Sequence, residues 1–179
     1  MTPVMNTGAT LLLGCALACA EEGPEEGTLM LNDSVLDHHS VLWLETNAAH
    51  EGWGRAVLMI TDEDRTCADL PKQAPGLRAL YRSTPLQGEG SGLLVWLQWT
   101  DLDEKTRDWQ GRFVFGEAPV GDRLQRRAVQ IPFEEGGPIL DQPGRHGSID
   151  ILSVSTSQIS GELSSDSAKG IFTAQRCSS

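Results

Sequence analysis

Positive charge is scarce in this 179-residue chain: 14 Lys and Arg stand against 25 Asp and Glu, a formal net charge of −11. A surface of that sign repels phosphate backbones, which excludes nucleic acid as a partner. No apolar run reaches the roughly 20 residues that a membrane-spanning helix needs. There is no C-x-x-C pair and no G-x-S-x-G elbow, so the commonest signatures of a zinc site and of a hydrolase nucleophile are missing. Tyrosine occurs once, against five tryptophans. Helix signals are also few, because the apolar stretch 68–70 stops at Pro71 and the stretch 76–81 lies between Gly76 and Pro85. With 39% hydrophobic and 22% charged residues, what remains is a soluble globular chain of one domain.

The chain opens with an address. Residues 1–20 carry no charged side chain, and four glutamates follow within 21–26. An uncharged run of Leu, Ala, Gly and Cys ending in small residues matches the apolar region and cleavage site of an export signal. The basic residues that usually precede such a run are missing, since the first in the chain is Arg55; a start codon upstream of Met1 would supply them. Three cleavages compete. Ala16-Leu17-Ala18-Cys19 resembles a bacterial lipobox, in which the cysteine receives diacylglycerol and becomes the new N-terminus. Leu12-Leu13-Gly14-Cys15 resembles one with a shorter apolar run, and a cut after Ala20 would release a soluble protein. The expected organisation is a lipoprotein-type signal peptide over 1–19 and an acidic flexible tether over 20–27. A single β domain then occupies 28–179.

Cysteine usage agrees with export. Processing at Cys19 or after Ala20 leaves Cys67 and Cys177, an even pair, and no histidine lies within four residues of either. A disulfide is the simplest use of two such thiols in an oxidising compartment, and no metal site is expected.

The mature domain reads as sheet. Strand-length apolar runs occupy 28–32, 40–46, 55–61, 92–101, 110–116, 123–131, 148–156, 158–163 and 168–176, separated by Gly, Pro, Asp and Asn. About eight or nine strands of this kind predict an antiparallel β-sandwich or flattened barrel, with 134–147 as one long irregular connection. In 92–101 the alternation puts Leu93, Val95, Leu97 and Trp99 on the core face and Leu94, Trp96, Gln98 and Thr100 opposite. In 41–46, Leu42 and Leu44 share one face while Val41, Trp43 and Glu45 share the other. Trp43 and Trp96 are therefore the candidate ligand-binding residues, as an aromatic platform for a sugar ring; a second, smaller core beneath a loop would also account for them.

Other constellations read as turns or edges. His38 and His39 are adjacent and point to opposite faces of any strand. The acidic turns at 61–64 and 101–104 break the calcium-loop pattern, through Arg65 in the first and through Lys105 and Thr106 in the second. Arg123, Arg126 and Arg127 form a basic strand edge.

The strings VLMITDEDRTCADL (57–70) and ISGELSSDSAKGIFTAQRC (159–177), with the cysteine-and-glutamate leader, are similar to uncharacterised exported lipoproteins of Gram-negative bacteria, myxobacteria in particular. Those motifs are structural, and no activity or catalytic residue comes with the resemblance. In such bacteria Ala20 after a lipidated Cys19 would imply delivery to the outer membrane. The expected function is a lipid-anchored envelope protein with a structural or binding role, no catalysis and no cofactor. The expected partners are the membrane, through the anchor, and a glycan or another envelope protein. A carbohydrate-binding module and an envelope hydrolase with its site in the long loops are the alternatives, as are a periplasmic or a secreted location.

Overall fold

The computed structural model describes residues 28–31, 34–37, 40–46, 53–70, 90–101, 109–116, 124–134, 137–138, 146–166 and 168–177. The leader with Cys15 and Cys19, the acidic tether, His38, His39, His50, Arg123 and most of the 101–104 turn lie outside them. Among the described residues eleven strands make one sheet: β1 (Leu29–Leu31), β2 (Ser34–Leu36), β3 (Ser40–Thr46), β4 (Trp53–Thr61), β5 (Gly92–Asp101), β6 (Gly111–Phe115), β7 (Leu124–Glu134), β8 (Gly137–Pro138), β9 (Gly147–Val154), β10 (Gln158–Ser165) and β11 (Ala168–Cys177). All nine expected strands are present; β2 and β8 are additional. The fold is all-β.

Eight strands pair in the order β10-β9-β6-β7-β5-β4-β3-β11, and β11 pairs back to β10, so the sheet closes into a barrel. The pairing thus follows the barrel form of the expected architecture and not two separate sheets. Nor is it wholly antiparallel. β6 runs parallel to β7 through Val114↔Arg127, and β11 runs parallel to β3 through Gln175↔Leu42. Turn signals along the chain identify strands and hairpins, whereas parallel neighbours depend on how connections cross over. β1 and β2 form a hairpin on the stretch of β11 that precedes its pairing with β3.

Closure gives each barrel strand an inside and an outside. Inward side chains form one core from Leu58, Ile60, Leu93, Val95, Leu97, Phe113, Ile149, Ile151, Leu163 and Phe172, among others. On β6, β10 and β11 the outward positions Arg112, Glu162, Ser164, Lys169, Thr173 and Gln175 are exposed. On these three strands an apolar interior is matched by a polar exterior.

The outside of β3, β4, β5 and β7 departs from that rule. Leu42, Leu44, Val57, Met59, Leu94, Ile131 and Phe133 form a second buried cluster there, with Leu70 and Cys177 upon it. The Cys67–Cys177 disulfide, with 5.4 Å between the Cα atoms, holds that cover in place. Cys67 opens a single 3-10 turn, Cys67–Asp69, whose start is capped: the Asp69 carboxylate accepts from Thr66 N at 2.7 Å and from Thr66 Oγ1 at 2.9 Å. Ser40 ties the approach to this turn to β3, its hydroxyl accepting from Arg65 N at 2.7 Å.

Candidate functional site

Among the described residues the second buried cluster ends part-way along the outer face. Cross-strand register shows where. Leu44, Val57, Trp96 and Val129 form one outward row, and the next row beyond the cover is Arg55, Gln98 and Arg127. Trp96 stands at the boundary, half-buried, packed on one side against the second core. Beyond it a groove of about 350 Å³ is lined by Trp96, Gln98, Thr100, Gln125, Arg127 and Val129, with Gly116 and Ala128 completing it. These residues come from β5, from β7 and from the end of β6. Among the described side chains no β4 residue lines it. Arg55 of β4 instead places its guanidinium over the Trp96 ring, 5.9 Å from the centroid.

Within the groove the polar side chains bond to one another weakly. Gln98 Nε2 donates to Thr100 Oγ1 at 3.4 Å, and Arg127 Nη2 donates to Gln125 Oε1 at 3.3 Å. Both distances exceed the ordinary range for such bonds, so they are readily exchanged for other partners. Among the described lining residues there is one guanidinium and no carboxylate.

Trp96 takes the outward position that the alternation in β5 requires. Trp43 does not: it is fully buried inside the barrel. Register gives the reason, since Trp43 lies opposite Leu58, and Leu58 opposite Val95, all in the inward row. Both faces of β3 are apolar because both are buried, and the sequence pattern has no means of telling one from the other. The two-tryptophan platform is therefore corrected: the barrel wall separates Trp43 from Trp96. Trp43 belongs to an aromatic cluster, edge-on to Trp109 with centroids 5.3 Å apart. Trp99 meets the same Trp109 at 6.2 Å, and Phe113 stacks on it at 6.1 Å. Trp109 was not singled out in the sequence because it stands just before a strand and takes part in no alternation. The indole N–H groups of Trp43, Trp96 and Trp99 have no hydrogen-bond partner among the described residues.

The arginine edge divides in the same way. Arg126 turns inward and lies over Phe113, 5.8 Å from the ring centroid, while Arg127 turns outward into the groove. The Cys67–Cys177 pairing expected from the cysteine count is present. In the 61–64 turn, Asp62 Oδ1 accepts from Ser91 N at 2.7 Å, and Glu63 pairs with Arg65. No group of three or more metal-ligating side chains occurs among the described residues.

Asp69 has its carboxyl held below the usual carboxylate range, first by the backbone hydrogen bond from Thr66 and then by the Thr66 hydroxyl. Arg112 is held above its ordinary value by its hydrogen bond and ion pair with Asp150, at 2.9 Å between β6 and β9. Neither group lies at the groove, and both shifts report local structural bonds. Compared with protein families, curated proteins and solved structures, the chain matches none.

Proposed function

We propose that this protein is exported and held at the cell envelope of a Gram-negative bacterium, at the outer membrane, by a lipid on Cys19. There it serves a binding or structural role and not a catalytic one. The observation that carries the reading is the Cys67–Cys177 bond, which joins positions 110 residues apart and belongs in an oxidising compartment. The uncharged leader with its lipobox and the acidic tether behind it fit the same destination. Several carboxylates are already engaged in structural contacts: Asp62 with Ser91, Asp69 with Thr66, Asp150 with Arg112, and Glu45 with Arg176. A sugar-binding role is the second reading, favoured by the half-buried Trp96 beside an open polar groove.

The test is the intact mass of the natively expressed protein, with thiol alkylation before and after reduction. A mass of residues 19–179 plus lipid, with two thiols appearing only on reduction, is the expected result. A mass beginning at Glu21 would make the protein a released one. Free thiols at both Cys67 and Cys177 in the native protein would overturn export itself.

A further inference from the structure

We infer that the groove between β5 and the β6–β7 edge is a binding site for an acidic pyranose, a uronic acid residue within a polysaccharide. The inference deepens the binding role proposed above and rests on it. Three features of the groove converge on this chemistry.

First, the tryptophan is placed for stacking on one side only. Arg55 and the second core account for part of the Trp96 ring, and the groove opens on the β7 side. The indole, with Val129 beside it in the outward row, offers an apolar strip of the kind that the C–H face of a pyranose covers. Second, the remaining lining consists of two amides, a hydroxyl and a guanidinium: Gln98, Gln125, Thr100 and Arg127. Amides and hydroxyls both donate and accept, as adjacent ring hydroxyls require. Their present bonds to one another, at 3.3 and 3.4 Å, are long enough that a ligand replaces them at little cost. Third, the charge of the described lining is opposite to that of the chain. The whole protein carries −11, yet among the described lining residues the one charged side chain is the Arg127 guanidinium. A neutral sugar would need no such charge, whereas a planar guanidinium matches a carboxylate with two parallel hydrogen bonds.

The net negative charge does not forbid this ligand, because at physiological ionic strength charges beyond about 8 Å are largely screened. The match is local to the groove. A volume of about 350 Å³ lies at the small end of ligand sites and suits one or two sugar rings, not a folded partner.

The experiment is calorimetric titration of the natively processed protein with trigalacturonate, with neutral maltotriose and with inorganic phosphate. The expected result is saturable binding of trigalacturonate, at least tenfold tighter than maltotriose and not displaced by equimolar phosphate. Arg127→Gln is expected to weaken it on the order of tenfold to a hundredfold, the range for a charged hydrogen bond, and Arg127→Lys by less. Trp96→Ala is expected to abolish it with circular dichroism and the disulfide unchanged. Should Trp96→Ala fail to fold, Arg127→Gln and Gln125→Ala, both away from the buried cores, carry the test. Equal affinity for the acidic and neutral trisaccharides, displacement by phosphate, or binding indifferent to Arg127→Gln would each overturn the proposal. Absence of any binding would do the same. Mass and thiol state of the same preparation report on export separately, so the failure of one reading is distinguishable from the failure of the other.

Discussion

Breaking the Cys67–Cys177 bond should destabilise the domain far more than losing any single surface contact. The bond joins positions 110 residues apart, so in the unfolded chain it closes a loop that includes most of the barrel. The chain-entropy relation for a loop of that length gives about 4.8 kcal/mol at 25 °C. For a domain of this size each kcal/mol moves the melting temperature by about 2–4 °C, so reduction should lower it by about 10–20 °C. A local effect is superimposed. Cys177 ends the short stretch Gln175–Cys177 by which β11 pairs with β3, one of the two parallel contacts in the barrel. Releasing it should speed hydrogen exchange at Leu42–Leu44 and 175–177 before the remainder of the sheet. Differential scanning calorimetry with and without reductant measures the first effect, and exchange mass spectrometry the second. A Cys67→Ala/Cys177→Ala double variant should reproduce the reduced protein. A fall of less than about 3 °C on complete reduction would refute the reasoning, since the loop would then be restrained in the unfolded state by something else.

Trp43→Ala should cost about 3–5 kcal/mol in urea denaturation, as for other buried aromatics, whereas half-buried Trp96→Ala should cost clearly less; equal costs would place both on one face of the wall. Gly54→Ala should destabilise by about 1–3 kcal/mol, because a Cβ there would lie 2.3 Å from the Trp99 indole nitrogen; an unchanged urea midpoint would mean the Trp99 ring can move aside. Gly170→Ala should loosen the β1–β2 hairpin, because Gly170 has φ of +152° and a Cβ would meet the Thr28 carbonyl at 2.2 Å; exchange at 29–31 is the readout. Asp69 has its pKa lowered by folding, so its contribution is complete above the unfolded value of 3.8 and is lost as pH falls through the lower folded value. Accordingly, the Thr66–Asp69 turn should open in acid only as pH falls below 3.8, and Asp69→Ala should remove that part of the pH dependence, both read by exchange at Cys67–Asp69.

Strand positions were legible because their causes are local. Alternation and turn residues act within a few positions, so Leu93, Val95, Leu97 and Trp99 could be assigned to the core from ten residues of sequence. The disulfide was legible by counting, since the reading of 1–20 as an export leader leaves Cys67 and Cys177 as the two thiols of the domain. Face assignment failed where both faces are apolar. In β3, Trp43 and Leu42 look alike as core residues, and only pairing with Leu58 and Met59 separates inside from outside. The groove was half legible: Trp96 was visible as a tryptophan on the polar side of a strand, but its neighbours were not. Arg127 comes beside it because β5 and β7 pair with Trp96 opposite Val129, a contact between positions far apart in the chain. Periodicity is a property of one strand, and it carries the choice of elements and their two faces. Register, closure and the cover over the outer core are agreements between strands, so they arise only when the whole chain has folded.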